Sequence, residues 1–67
     1  MKNYIKELRE VSNLTQEELA TLLETSRQTI ISLEKGKYNP SIMLAYKISK
    51  VFNKKIEEVF IFEEEEK

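Results

Sequence analysis

Thr15-Gln16-Glu17-Glu18-Leu19-Ala20-Thr21-Leu22-Leu23-Glu24-Thr25-Ser26-Arg27-Gln28-Thr29-Ile30-Ile31-Ser32-Leu33 is the stretch that decides the fold. It spells two short helices in succession. The Thr15 hydroxyl is placed to cap the first, and Glu18, at the third helical position, completes a capping box. The acidic pair Glu17 and Glu18 suits the positive end of a helix. Leu19, Leu22 and Leu23 form the apolar stripe, with small Ala20 beside it. Thr25 and Ser26 are both cap residues, so the spacing predicts a new helix from Ser26, with Ile30 and Leu33 inward. Two helices of about eight residues joined by a short turn make a helix-turn-helix pair. Ala20 stands where the two helices cross, and a larger side chain there pushes them apart. Arg27, Gln28, Ile31 and Ser32 fall on the opposite, outward face. Arg pairs bidentately with guanine, Gln with adenine, and Ile31 suits a thymine methyl. On position alone, Arg27 and Gln28 read better as solvated helix formers, and Ile31 equally well as an edge of the core or a crystal-contact residue.

Working outward, Ile5, Leu8 and Val11 step by three and predict a first helix over residues 3–12, broken at Asn13. Gly36 closes the third helix by taking the left-handed conformation. A loop then runs to Pro40. Ser41 caps a fourth helix whose inward face is Leu44, Ala45, Ile48 and Phe52, flanked by Ile42 and Val51, and Asn53 ends it. Ile56, Val59 and Phe60 mark a short fifth helical turn. Phe60-Ile61-Phe62 favours β structure and leaves room for a short terminal strand or a dimer seam. Glu63 to Glu66 and Lys67 read as a solvated acidic tail rather than a cation site. The expected fold is all-α: one five-helix domain over residues 1–67, with the helix-turn-helix at about 16–35.

Composition narrows the function. Sixty-seven residues make one small domain, with little room for an enzyme cleft beside its core. Cys and His are both absent, which removes disulfides, thiolates, the commonest metal ligand and the usual nucleophile–base triads. The expectation is a protein without catalysis, cofactor or metal. No apolar run approaches the roughly 20 residues of a membrane span, and Met1-Lys2 leads straight into an amphipathic segment, so a soluble, cytoplasmic protein is expected. No sensor domain is evident, hence no small-molecule effector. The net charge of −1 argues against nucleic acid, but it is a cancellation. Residues 25–55 carry a net +6, residues 1–24 a net −2 and residues 56–67 a net −5. Lys47, Lys50, Lys54 and Lys55 read as solvated lysines adding only long-range attraction.

Along nearly its whole length the chain resembles the Cro/cI-type (XRE) helix-turn-helix regulators. The motifs are Leu14-Thr15-Gln16-Glu17-Glu18-Leu19-Ala20, Thr25-Ser26-Arg27-Gln28-Thr29-Ile30, Leu33-Glu34-Lys35-Gly36-Lys37-Tyr38-Asn39-Pro40-Ser41 and Ile56-Glu57-Glu58-Val59-Phe60. It is most similar to the short, single-domain subgroup that includes cytolysin-repressor-like proteins. The resemblance implies a lambda-repressor-like fold and a homodimeric repressor on a pseudo-palindromic operator in double-stranded DNA. It implies that Arg27 and Gln28 read base edges, extended by Ile31 and Ser32. Gln16 touches a phosphate and buttresses the recognition helix. Thr25, Ser26, Lys35, Lys37, Tyr38 and Asn39 complete the backbone contacts. Arg9 and Glu34 match a structural ion pair of the family; the alternative is a surface pair worth ~0–1 kcal/mol. Ile56, Phe60 and Phe62 are assigned to the dimer interface, with the core of a single chain as the alternative for the two phenylalanines. Glu24 stands where many members carry Gly, which predicts a turn under slight strain. The competing function is an antitoxin-like or other protein-interaction module.

Overall fold

The computed structural model describes residues 1–62; the acidic run expected at 63–67 lies outside the described residues. Five helices follow in order: α1 (Ile5–Val11), α2 (Gln16–Leu23), α3 (Arg27–Glu34), α4 (Ile42–Phe52) and α5 (Ile56–Val59). The fold is all-α. Among the described residues, the anticipated terminal β element is a single antiparallel bridge between Asn3 and Phe60.

The helices start where side chains can take up orphan N–H groups. Thr15 Oγ1 accepts from Glu18 N at 3.0 Å while Thr15 N donates to Glu18 Oε1 at 2.8 Å, closing the capping box. Ser26 and Ser41 cap α3 and α4 by accepting from Thr29 N and Leu44 N, each at 3.1 Å. The ends share one device. After α1, α2, α3 and α4 a residue turns left-handed: Asn13 (φ 60°), Glu24 (φ 59°), Gly36 (φ 74°) and Asn53 (φ 55°). At each, two N–H groups return to the last turn in the Schellman pattern. After α3 these are Gly36 N to Leu33 O at 3.0 Å and Lys37 N to Ser32 O at 3.1 Å. Gly and Asn adopt this conformation readily; Glu24 does so at a cost of about 1–2 kcal/mol. Gly would lose part of that gain to its own unfolded-state entropy, about 0.5–1 kcal/mol. The Glu24 carboxylate also meets Lys47 Nζ at 3.3 Å. These opposing effects leave little net penalty, and the turn stands.

Leu19, Ala20 and Leu23 of α2 are buried against Ile30 and Leu33 of α3, with Ile5, Ala45, Ile48, Val59 and Phe60 completing the core. Ala20 is 3 % exposed, so nothing larger fits between the helices. The stripe read from spacing is narrower in the structure. Leu22 is 54 %, Val11 81 % and Ile42 88 % exposed. Each lies on a two- or three-turn helix, where 100° per residue carries a position off the core within a turn. Val11 and Ile42 are moreover end residues, past the reach of the facing helix.

The principal correction concerns Phe60, assigned by sequence to the interface with Ile56 and Phe62. It is 2 % exposed within one chain. The chain folds back after α5: Tyr4 N donates to Val59 O at 2.8 Å and Ile61 N to Lys2 O at 2.9 Å. This pairing turns the Phe60 ring into the core and leaves Phe62 59 % exposed. Phe60→Ala is therefore expected to lower the unfolding free energy by about 3–5 kcal/mol through lost burial and a cavity. Urea denaturation at two widely separated protein concentrations checks it: a loss that vanishes at the lower concentration would return Phe60 to the interface.

Candidate nucleic-acid interface

The outward face of α3 exists because its other face is spent on the core. Ile30 and Leu33 are fully buried, which leaves Arg27 and Gln28 exposed and Ile31 and Ser32 half-buried. Gln28 and Ser32 share a shallow depression with Ser26, Thr29 and Tyr38. Ile31 lies beside Gln16, Glu34 and Lys35 in another. Neither is an enclosed cavity. Beyond α3, Lys35, Lys37, Tyr38 and Asn39 are all exposed, on the loop that Gly36 opens. Thr25 N is committed to Ala20 O at 2.9 Å and the Ser26 hydroxyl to the Thr29 cap. Both therefore position α3 as well as face solvent.

Glu34 organises the inner edge of this surface. Its Oε2 accepts from Arg9 Nε at 2.6 Å and its Oε1 from Arg9 Nη2 at 3.4 Å. Arg9 Nη1 donates onward to Leu14 O at 2.9 Å. With side chains 12 % and 6 % exposed, this is a largely desolvated pair joining α1, the α1–α2 turn and α3. The hydrogen bond to Glu34 holds the Arg9 guanidinium above its ordinary pKa, with burial opposing and the Glu34 charge adding. Glu34 Oε1 also accepts from Gln16 Nε2 at 3.1 Å. That fixes which end of the amide faces outward: Gln16 Oε1 meets Arg27 Nε at 3.4 Å. Arg27 Nε thus leans on Gln16 at the long limit of a hydrogen bond, and neither of its terminal nitrogens has a partner among the described residues.

The structure brings Gln16, Arg27, Gln28, Ile31, Ser32 and the Lys35–Asn39 loop to one surface. Ile56 and Phe62 lie elsewhere, with Met1, Pro40 and Ile42 around an apolar groove floored by Ala45 and Phe60. One residue that sequence reasoning missed is Asn3. Its side chain donates to Leu33 O at 2.8 Å and accepts from Ile5 N at 3.0 Å. An Asn two residues before a helix signals only the local turn; the bond to Leu33 has no mark in the sequence.

Removing one member of the Arg9–Glu34 pair strands a buried charge. Glu34→Ala is expected to cost about 3–5 kcal/mol of stability, and the Arg9→Ala, Glu34→Ala double variant distinctly less than the sum of the single losses. A double-mutant cycle by chemical denaturation checks this; additive losses would show an uncoupled surface pair.

Comparison with known proteins places the geometry. The helix-turn-helix family profile matches residues 5–59. A helix-turn-helix-type transcriptional regulator of Archaeoglobus fulgidus is 62 % identical over 66 residues, covering 98 % of this chain and 93 % of the relative. One from Methanocaldococcus jannaschii is 59 % identical, covering 98 % and 100 %. One from Bacillus subtilis is 49 % identical over 65 residues, covering 97 % and 98 %. Among crystal structures, the restriction-modification controller protein C.AhdI from Aeromonas hydrophila superposes with a TM-score of 0.75 at 30 % identity, covering 84 % of this chain and 85 % of that one.

Proposed function

The chain belongs to the XRE-type helix-turn-helix family of transcriptional regulators, and from that premise we propose that it is a homodimeric repressor that reads a pseudo-palindromic operator through α3. It carries a helix-turn-helix DNA-binding domain. The family is typically non-enzymatic, and no helix among the described residues is long and apolar enough to cross a membrane.

The observation that carries the proposal is the state of Arg27. It is exposed at the first position of a helix whose opposite face is buried, and it is held by Gln16 through Nε alone. Both Nη groups stay free to meet guanine O6 and N7. Gln28 beside it suits adenine, while Ile31 and Ser32 extend the contact along the helix. Lys35, Lys37, Tyr38 and Asn39, with Gln16, Thr25 and Ser26 at the near edge, take the phosphates and set register. Two subunits present their helices to half-sites about 34 Å apart. Their contact is best sought at the groove of Ile42, Ile56 and Phe62, where Ile42 and Phe62 stay exposed beside half-buried Ile56. A cytoplasmic location is the one in which such a regulator meets its DNA.

Selection of bound sites from random DNA tests the reading: a recovered inverted repeat supports it, and an unenriched pool sinks it in favour of a protein-interaction module. On the recovered site, Arg27→Ala is expected to cost about 1–3 kcal/mol and to relax preference at one base pair per half-site. Lys37→Ala is expected to weaken all DNA alike and lower the salt slope by about one. Phe62→Ala is expected to raise the dimer dissociation constant in sedimentation without lowering the stability of the monomer.

A further inference from the structure

Residues 1–4 are bound on two sides. On one, the Asn3–Phe60 bridge and the bonds Tyr4 N to Val59 O and Ile61 N to Lys2 O fasten them to the segment after α5. That segment is itself anchored by buried Val59 and Phe60. On the other side, the Asn3 amide reaches the C-terminal turn of α3. Leu33 O accepts both from Gly36 N at 3.0 Å, the bond that closes the turn, and from Asn3 Nδ2 at 2.8 Å. Three residues of chain later come Gly36 and Lys37, whose carbonyl and amide are also held: Gly36 O accepts from Met1 N at 2.8 Å, and Lys37 N donates to Ser32 O.

We propose that Asn3 is a positioning residue for the DNA-backbone contacts: by holding the Leu33 carbonyl it fixes the direction in which the chain leaves α3, and with it the placement of Lys35, Lys37, Tyr38 and Asn39. This rests on the reading of that loop as phosphate-binding. The physical ground is the position of the bond. Last-turn carbonyls of a helix have no intrahelical donor, and the loop beyond is exposed and short of apolar anchors. Its geometry therefore depends on the hydrogen bonds at its root. Arg27 and Gln28 sit two turns away at the other end of α3, on a helix fixed by Ile30 and Leu33, so Asn3 acts on the loop and leaves base reading alone.

Two variants separate this role from simple support of α1. In Asn3→Ser the hydroxyl still accepts from Ile5 N, as a serine two residues upstream does in a local turn, but is too short to reach Leu33 O. In Asn3→Asp the shape and the acceptor are kept, the donor to Leu33 O and Met1 O is lost and a negative charge is added. Both keep the N-terminal bond of α1, so a folded protein is expected and is checked by circular dichroism. Operator affinity is then measured against salt, with amide hydrogen exchange at Lys37. The expected result in both is faster exchange at Lys37, a salt slope lower by about one, and a several-fold loss on every DNA alike, with the base preference at the Arg27 position retained. A wild-type slope and wild-type Lys37 exchange in folded Asn3→Ser overturns the proposal. So does a slope change in Asn3→Asp alone, which is the effect of its added charge, or an equal collapse of base preference, which means that α3 itself has moved. If Lys37→Ala leaves the wild-type slope unchanged, the phosphate-binding reading of the loop fails, whereas Lys37 exchange still reports whether Asn3 holds the turn.

Discussion

The Glu34 carboxylate is where this small fold is tied together. It takes Arg9 of α1 on both oxygens and Gln16 of α2 on one, while its own backbone ends α3. In a chain of 67 residues apolar burial alone leaves the angle between two-turn helices loosely determined. A largely desolvated ion pair adds little net stability, because desolvation offsets most of its Coulombic gain. What it contributes is geometric: any other helix arrangement leaves a charge buried without its partner. The pair thus sets the relative placement of three elements, and the apolar core fills the space they define.

The same carboxylate reaches the functional surface through Gln16. An amide that donates to Glu34 must present its oxygen on the other side, and Arg27 Nε is there. A long, rotamer-rich side chain is thereby given a preferred direction before any ligand arrives. At 3.4 Å the contact biases that direction without fixing it.

Local chemistry made much of this legible in the sequence. Thr15 with Glu18, Ser26, Ser41, Gly36 and Asn53 each act within four residues, and each does in the structure what its type predicts. Glu24 also adopts the positive φ that its position required. What was not legible depends on how the chain returns on itself. Leu22, Val11 and Ile42 share the apolar period, but period does not say where a facing helix stops. Phe60 and Phe62 are chemically alike and two residues apart; only the pairing of residues 2–4 with 59–61 buries one and exposes the other. Asn3 reaches across 30 residues to Leu33, and no local pattern carries a contact of that separation. Exposure alone fits a solvated helix, so the reading of Arg27, Gln28, Ile31 and Ser32 as base contacts rests on their chemistry and on family resemblance together.

Charge then divides the labour along α3 and its loop. The cations of residues 25–37 are Arg27 at the start of the helix and Lys35 and Lys37 past its end, with Glu34 neutralised by Arg9 between them. Between the two ends the helix is apolar inward and uncharged outward, and over roughly 12 Å of helix salt largely screens the repulsion between them. Gln28, Ile31 and Ser32 supply that uncharged stretch. A polyanion is consequently attracted at two separated places, while the surface between them offers hydrogen bonds and a methyl-sized apolar contact that discriminate rather than attract. With so few cations on the face, sequence-independent affinity is limited. On the proposed reading, selectivity rests on the fit of that middle stretch, and hence on the support that Glu34, Gln16 and the buried side of α3 give it.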